Sequence, residues 1–402
     1  QYVEKILTSV VSQYGYQQIR FPIVEKTELF KRSIGELTDI VQKEMYSFED
    51  SQNGDQLTLR PEGTAPCVRA CISNKLLYNK TPRLWYLGPF FRHENPQKGR
   101  YRQFHQFGIE VFGYTSIDIE LELLAMSNRL WQAFGLSDYC KLQINTIGTL
   151  EERMKYQQEL TRYFESHREQ LDAESLTRLE KNPLRILDSK NPKVQEIVAG
   201  APKLHQHLSE ASLTRFNDLC AGLETLGIAY TVEPTLVRGL DYYSHTVFEW
   251  VTDKLGAQGT VLAGGRYDGL VAQFGEKPTP AAGFALGFER LVLILETLAL
   301  IPAEPDCDIY VVIEKEVNTI QAFALLEKLR LALPTLKVKV DLAASSSKSQ
   351  LKRAPGSGAS SALLFMNDNP QPSDAVILKG LRGQFEQQNL TLDAIVSHLK
   401  KS

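Results

Sequence analysis

The sequence has no apolar run long enough to cross a membrane. Its longest such stretch, Leu291 to Ile301, is interrupted by Glu296 and Thr297, whereas a membrane-spanning helix needs about 18 or more apolar residues. Residues 1–11 are amphipathic and include Glu4 and Lys5, unlike a cleavable signal peptide. We therefore predict no membrane association. Because the chain starts at Gln1, we expect the natural N-terminus to precede it.

Cysteine is scarce and follows no recognisable pattern. The 5 cysteines are an odd number, widely scattered and without a Cys-x-x-Cys pair, which argues against a disulfide framework and against a zinc site. Cys67 and Cys71 are four residues apart, on one face of a predicted helix, and this spacing predicts packed thiols. The cysteine usage indicates a reducing compartment, and we predict the cytoplasm.

An excess of charge of one sign is also lacking. The 45 Lys+Arg and 48 Asp+Glu leave a net charge of −3, which excludes a protein that binds nucleic acid by bulk charge, so any such contact needs a local patch. The sequence contains no GxxxxGK[ST] loop, no dinucleotide fingerprint and no HExxH motif. With 402 residues of which 43% are hydrophobic, the chain is predicted to form a globular protein of two or three domains.

The pattern of predicted strands and helices divides the chain into a β-rich part and an α/β part. The spacing predicts helices at Thr27–Ile34 and Phe284–Leu298, and a long antiparallel hairpin of strands Pro82–Phe91 and Gln103–Phe112. A short strand is predicted over Tyr16–Phe21, before Pro22.

A helical insertion and a linker interrupt this pattern. Residues of about 150–216 are poor in glycine, rich in long polar side chains and divided by Asn-Pro steps, which predicts an insertion outside the sheet. Ile301–Pro305 is interpreted as a linker. Beyond it strands and helices alternate, a pattern typical of a small α/β domain. A basic helix, Ser347–Arg353, is predicted there.

The hairpin loop concentrates cations beside an aromatic residue. Arg92, Lys98, Arg100 and Arg102 surround the turn, and Phe104 lies on the returning strand. This combination suits a triphosphate and a planar base. Taken alone, the stretch is equally compatible with a solvated, charged loop.

Three further stretches have residues suited to a polar pocket, namely LVRGLDYY (236–243), AGGRYDG (263–269) and GFALGFER (283–290). The first is equally compatible with an ordinary turn. The glycines of the second permit close approach of the backbone to a ligand. Arg290 ends the third within an apolar run, so its guanidinium either extends to water or binds an anion.

The order of these stretches resembles the class II aminoacyl-tRNA synthetases. A helix and strand ending at Pro22 match motif 1, FRHENPQKGRYRQFHQFGIE (91–110) matches motif 2, and GFALGFER matches motif 3. LRPEGTA (59–65), LVRGLDYY and AGGRYDG resemble stretches that distinguish histidyl-tRNA synthetases of bacterial type. Five stretches in the family's order make chance agreement negligible.

The resemblance implies an α+β fold, a class II antiparallel sheet flanked by helices. Residues 1–302 would form the catalytic domain, with the insertion at about 150–216, and residues 306–402 an α/β anticodon-binding domain. The implied function is ATP-dependent activation of L-histidine as histidyl-adenylate, followed by transfer to the 3′ end of tRNA(His). ATP would be a substrate accompanied by Mg²⁺, and the protein a homodimer.

The resemblance also implies roles for individual residues. For ATP they are Arg92 and Arg238 at the α-phosphate, Arg290 at the other phosphates, Phe104 stacked on adenine, and Glu94 and Arg100 near the base and the γ-phosphate. For histidine they are Glu62, Thr64 and Gln106 at the ammonium group, Glu110 and Tyr243 at the imidazole, and Tyr242 and Tyr267 as the wall.

One relative of the family offers an alternative. A catalytically silent paralogue serves as the histidine-sensing regulatory subunit of ATP phosphoribosyltransferase, and it shares the fold. That paralogue usually lacks the C-terminal domain and the arginine of the RGLDYY stretch. Arg238, Arg290 and about 100 residues beyond Pro302 are present here, so the sequence favours the synthetase.

Overall fold

A computed structural model describes residues 1–35, 38, 40–187, 189, 191–237, 240–256, 259–343, 345–367, 375–381, 383 and 385–400. The chain folds into two compact units, Gln1–Ile301 and Pro302–Ser402. Among the described residues, no helix combines the length and the apolar content that crossing a membrane would need.

The first unit contains helices and strands that are numbered here in chain order. Its helices are α1 Tyr2–Gln13, α2 Thr27–Ile34, α3 Thr64–Ser73, α4 Asp118–Phe134, α5 Leu150–Ser166, α6 Ala173–Lys181, α7 Pro192–Ala199, α8 Glu210–Thr225, α9 Leu270–Gln273 and α10 Phe288–Thr297. Its strands are β1 Gln17–Gln18, β2 Val24–Lys26, β3 Tyr46–Glu49, β4 Gln56–Leu59, β5 Arg83–Phe91, β6 Gln103–Phe112, β7 Lys141–Thr146, β8 Tyr230–Val232, β9 Ser244–Val251, β10 Thr260–Arg266 and β11 Ala281–Gly287.

An eight-stranded sheet forms the centre of this unit, in the order β1-β5-β6-β11-β10-β9-β7-β8. Neighbours from β5 to β7 are antiparallel, and the outer pairs β1–β5 and β7–β8 are parallel. A smaller antiparallel sheet has the order β2-β4-β3. The predicted α+β class and the predicted hairpin of β5 and β6 are confirmed.

Alternation along β6 assigns its side chains to the two faces of the sheet. Phe107, Ile109 and Val111 join a hydrophobic cluster with α1, α4 and α10. Since successive residues of a strand point to opposite faces, Gln106 and Glu110 lie on the other face. The same strand therefore supplies both the helix-covered core and the face on which a site can form.

The helix predicted over Phe284–Leu298 is wrong in its first turn. Residues Ala281–Gly287 form β11, which pairs with β6 on one side and β10 on the other, and helix α10 begins at Phe288. A central strand buried on both faces has no polar alternation, so its apolar run cannot be distinguished from a buried helix by periodicity. The strand predicted over Tyr16–Phe21 is likewise reduced to Gln17–Gln18, which alone pair with β5 as a strand.

The insertion consists of helices α5 to α8, with short 3₁₀ turns between them and no strand among its described residues. Helix α8 continues past the expected end at 216, to Thr225. A capping box of Thr149 and Glu152 begins α5. The Glu152 carboxylate also accepts hydrogen bonds from Ser209 N at 2.7 Å and Ser212 Oγ at 2.8 Å, so the first turn of α5 and the first turn of α8 meet at one side chain.

The second unit contains a five-stranded mixed sheet and three helices among its described residues. Its elements are β12 Ile309–Ile313, α11 Thr319–Ala332, β13 Val338–Val340, α12 Ser347–Arg353, β14 Ser361–Phe365, β15 Val376–Gly380, β16 Gln388–Leu390 and α13 Leu392–Leu399. The strand order is β13-β12-β14-β15-β16, with the first two pairings parallel and the last two antiparallel. The basic helix α12 has the predicted bounds, and the unit has a hydrophobic core of its own.

Candidate active site

A cavity of about 190 Å³ opens on the face of the sheet formed by β6, β10 and β11. Most of the predicted site residues line it: Glu62, Thr64, Arg92, Glu94, Arg100, Phe104, Gln106, Tyr242, Tyr243, Tyr267 and Arg290. Glu110 lies behind the cavity wall, as described below. Arg238 lies outside the described residues.

One end of the cavity is lined by arginines beside an aromatic ring. Arg92 Nε donates to the carbonyl of Pro61 at 2.8 Å, and its guanidinium carbon lies 5.3 Å from the centre of the Phe104 ring. Arg100 Nε pairs with the Glu94 carboxylate. These contacts fix the direction of two guanidinium groups before any ligand binds.

Arg290 brings a third guanidinium to the same end. It lies in the first turn of α10, and its Nη1 donates to the carbonyl of Thr260 at 2.7 Å. Burial, and then the charges of Arg100 and Arg92, lower the pKa of Arg290. Positive charges that lie close together in a cavity repel one another, and a bound anion reduces this repulsion.

A second group of residues lines the same cavity beside Arg92. Glu62, at the start of helix α3, directly follows Pro61, whose carbonyl accepts the hydrogen bond from Arg92. Its carboxylate accepts hydrogen bonds from Thr64 N at 2.7 Å and Ala65 N at 2.9 Å. Burial raises the pKa of Glu62, and these backbone bonds and the charge of Arg92 oppose the rise. The helix N-terminus thus holds a buried carboxylate against the cavity.

Gln106 presents an unsatisfied acceptor. Its side-chain oxygen Oε1 is buried and has no hydrogen-bond partner among the described residues. A buried acceptor left without a donor costs about 1–3 kcal/mol. Since Gln106 and Glu62 line one cavity, these two acceptors suit a ligand that carries several N–H donors and a positive charge.

Glu110 is enclosed by hydroxyl groups. It accepts hydrogen bonds from Thr64 Oγ1 at 2.8 Å, from Tyr86 OH at 3.2 Å and from the hydroxyl of Tyr267. Burial raises the pKa of Glu110 to about 8, although the three hydroxyl groups oppose the rise. The carboxylate is thus the acceptor on which three cavity-lining side chains, Thr64, Tyr86 and Tyr267, are oriented.

Three tyrosines form an aromatic wall of the cavity. Ring centres are 4.7 Å apart for Tyr242 and Tyr243, 5.5 Å for Tyr242 and Tyr267, and 6.4 Å for Tyr243 and Tyr267. Tilted and edge-to-face pairs at these distances are favourable. The wall gives the polar pocket a flat side that suits a planar ring.

Comparison with known proteins places the chain among its relatives. A family model described as Histidyl-tRNA synthetase matches residues 1–291. The chain belongs to this family. It is 54% identical over 399 residues to a histidine–tRNA ligase of Hydrogenovibrio crunogenus (strain DSM 25203 / XCL-2), covering 99% of this chain and 93% of that protein.

Solved structures agree with this assignment. The crystal structure of apo S. aureus histidyl-tRNA synthetase is 33% identical, with a TM-score of 0.80, and covers 99% of this chain and 95% of that one. An ATP phosphoribosyltransferase regulatory subunit/histidyl-tRNA synthetase from Bacillus halodurans shares the fold, with a TM-score of 0.61 at 22% identity, covering 90% of this chain and 93% of that one.

In this member of the histidyl-tRNA synthetase family, the arginine of AGGRYDG has a structural role. Arg266 is buried and pairs with Glu120, which is fully buried, and with Asp268. Although burial opposes ionisation, the bonds and charges of Arg266 and Arg215 lower the pKa of Glu120. The network anchors the turn that follows β10 and therefore Tyr267.

Tyr86 is a site residue that the sequence analysis missed. Its ring lies against two glycines: a Cβ at Gly63 would come within 2.3 Å of the ring, and one at Gly108 within 2.1 Å. Its hydroxyl donates to Glu110. The available signal was the pair of glycines, Gly63 in LRPEGTA and Gly108 in motif 2, since each permits the close approach of a large ring.

Proposed function

We propose that this protein activates L-histidine with ATP and transfers the histidyl group to the 3′ end of tRNA(His). The observation that carries the proposal is that one cavity brings two groups of residues together. Three guanidinium groups and Phe104 form the first. Glu62, the unsatisfied Oε1 of Gln106 and the tyrosine wall form the second, and Arg92 joins the two, because it donates to the carbonyl of Pro61 next to Glu62. A nucleoside triphosphate suits the first group, and an amino acid with a planar polar ring suits the second.

In the first step a histidine carboxylate oxygen attacks the α-phosphorus of ATP. The new P–O bond gives histidyl-adenylate, while the bond to the bridging oxygen breaks and pyrophosphate leaves with that electron pair. Negative groups meet in this step, so fixed cations supply most of the stabilisation. We assign this role to Arg92 and, by its position in the family motif, Arg238, and assign Arg290 to the leaving phosphates.

Histidine would be recognised by hydrogen bonds at both of its polar groups. The ammonium group would donate to Glu62 and Gln106, and the imidazole would lie against the tyrosine wall. We propose that an imidazole N–H replaces one of the hydroxyl donors to Glu110, with Tyr243 at the other ring nitrogen. A site that hydrogen-bonds both ring nitrogens can reject an analogue without them by about 10⁴-fold or more.

Mg²⁺ would accompany the nucleotide. Among the described residues there is no group of three or more side chains arranged to hold a metal ion. Glu62 is committed to backbone N–H groups, and Glu94 to Arg100. This donor set fits an ion held by phosphate oxygens and water, with few protein ligands. Glu289 also lines the cavity, but its two carboxylate oxygens accept from His105 N at 3.0 and 2.9 Å. Bound Mg²⁺ would neutralise phosphate charge.

We further propose that the second unit reads the anticodon, that the protein is a homodimer and that it works in the cytoplasm. Exposed Lys348 and Lys352 on α12 provide phosphate contacts for the second unit. Arg353 on the same helix pairs with Asp341 at 2.7 Å. Phosphate contacts of this kind would make tRNA affinity fall with added salt.

Exchange of labelled pyrophosphate into ATP tests the activation step. The purified protein is expected to catalyse exchange when histidine is present, but not with histidine omitted or replaced by phenylalanine. A protein that binds histidine without exchange would instead act as the regulatory paralogue. Aminoacylation of a tRNA(His) transcript, with a transcript of another tRNA as the control, tests the second step.

A further inference from the structure

The first helix of the insertion reaches the segment that carries two of the tyrosines. Arg153 lies in α5, one residue after Glu152. Its Nη1 donates to the carbonyl of Tyr243, and its Nη2 donates to the carbonyl of Asp241 at 3.2 Å. Arg153 is half-buried; burial lowers its pKa, and the charge of Asp241 opposes this. One planar guanidinium thus holds two carbonyl groups that are two residues apart.

Other contacts hold the same segment at different points. Asn145 Nδ2 donates to the carbonyls of Pro234 at 3.2 Å and Leu236 at 3.0 Å, before the segment enters the site. Asp241 N donates to the carbonyl of Ile34 at 3.2 Å. From the insertion, Asn182 Nδ2 donates to the side chain of Asp241 at 3.4 Å, whereas Arg153 holds main-chain carbonyls. Arg153 therefore fixes the backbone from which the rings of Tyr242 and Tyr243 enter the cavity.

We propose that Arg153 is a positioning residue for the histidine end of the active site. It acts through the main chain of residues 241–243 and sets where the two tyrosine rings lie. The proposal rests on the function proposed above, since it assigns histidine to this end. Arg92, Arg100, Phe104 and Arg290 come from the hairpin and from α10, so the KM for ATP should depend little on Arg153. Arg238, assigned above to the α-phosphate, belongs to the same LVRGLDYY stretch, so kcat should fall with the position of the segment.

The kinetic consequence differs between the two substrates. Displacement of a positioning segment by about 1 Å can cost up to about 100-fold in rate. We expect Arg153→Met to raise the KM for histidine about 10-fold and to lower kcat, while the KM for ATP stays within about 2-fold. Arg162→Met is the matched control, because Arg162 lies on the same helix and pairs at the surface with Glu159 at 2.7 Å.

Hydrogen exchange measures the anchoring without any substrate. In the full-length protein, the backbone amides of a peptide covering residues 240–246 should exchange faster in Arg153→Met than in the wild type. Their exchange rate in Arg162→Met should equal that of the wild type. This comparison needs no activity, so it tests the anchoring by Arg153 separately from the proposed function. Pyrophosphate exchange by the wild type tests the proposed function by itself.

A charge-retaining variant decides how Arg153 acts. Arg153→Lys keeps the positive charge beside Asp241 but has no planar pair of donors, so it should recover only part of the loss. A lysine variant equal to the wild type would overturn the proposal, because charge alone would then suffice. So would an Arg153→Met enzyme that melts at a lower temperature but, counted per active site, retains both KM values and kcat.

Discussion

Gly283 lies directly against the carboxylate of Glu110: a Cβ built on Gly283 would come within 2.3 Å of Glu110 Oε2 and 2.2 Å of the carbonyl oxygen of Ile109. The residues are register partners, Gly283 on β11 and Glu110 on β6. The buried carboxylate therefore occupies space that only a glycine leaves open.

Replacing Gly283 with alanine should displace Glu110. We expect Gly283→Ala to lower the free energy of unfolding by about 1–3 kcal/mol, as overpacking does, and to raise the KM for histidine. Gly269→Ala is the control, because a Cβ there meets nothing within 4 Å. Denaturant unfolding and pyrophosphate-exchange kinetics measure both effects. Equal behaviour of the two variants would contradict the tight contact.

Gln106→Leu removes the unsatisfied acceptor. If Oε1 accepts a hydrogen bond from the ammonium group, the KM for histidine should rise about 10-fold. This rise is within the range of about 1–3 kcal/mol for a lost buried partner. The free energy of unfolding should be unchanged or higher, since leucine leaves no orphaned oxygen. Gln103→Leu, at an exposed position on the same strand, should alter neither. A variant that loses stability but keeps its histidine KM would refute this role.

The pH dependence of stability should reveal the protonation of Glu110. Burial raises the pKa of Glu110 to about 8, so between about pH 5 and 8 the folded chain keeps a proton that the unfolded chain has released. The stability linked to the neutral carboxyl is complete in acid and is lost as pH rises through 8.

Glu110→Gln cannot ionise and removes this dependence. The wild type's free energy of unfolding minus that of the variant should therefore decrease from pH 5 to pH 9. Urea unfolding of both proteins across this range gives the difference directly. A constant difference would mean that Glu110 is ionised throughout.

Arg266 and Glu120 form an ion pair in which both partners are buried. Arg266→Met leaves the Glu120 charge in the interior, paired with Arg215 as the one remaining cation within the described part of the chain. The expected loss in the free energy of unfolding is about 3–5 kcal/mol. Arg162→Met breaks an exposed pair and should cost less than about 1 kcal/mol. Chemical denaturation of both variants makes the comparison, and similar losses would contradict the burial argument.

The chain shortened to residues 1–301 should separate the two proposed steps. Each unit has its own hydrophobic core, and the described site residues belong to the first unit. We expect histidine-dependent pyrophosphate exchange to persist, while tRNA charging falls because remote binding energy is lost. Full charging by the shortened, folded chain would show that the second unit does not contribute to tRNA recognition.

Local pattern was enough to predict elements whose signals are local. The hairpin strands, α2 and α12 all carry their periodicity and end signals within the element, and the structure has them close to the predicted bounds. The helix prediction over Phe284–Leu298 was wrong at its start, because β11 is stabilised as a strand by its pairing with β6 and β10 on either side. Pattern alone singled out Arg92, Arg100, Phe104 and Arg290 as candidates, whereas family resemblance supplied their roles and the residues proposed for histidine.

The contacts that organise the site were beyond sequence reasoning. Arg266 with Glu120, and Arg153 with the carbonyl of Tyr243, join residues far apart in the chain. Nothing in the composition of either stretch identifies the partner, because the pairing depends on how the sheet and the insertion fold. The position of Glu110 behind Thr64 and Tyr267 has the same cause.

The hydrogen bonds of Glu152 close the part of the insertion between α5 and the start of α8 into a loop. Since the Glu152 carboxylate accepts hydrogen bonds from Ser209 and Ser212, the segment from α5 to the start of α8 begins and ends at the same place. Residues could be added or removed between α6 and α7 without moving β7 or β8, because the loop is closed near its base and a longer loop adds little closure entropy. Length variation among related chains should therefore concentrate at the far end of the insertion, while the turn that contains Glu152 and Arg153 keeps its length.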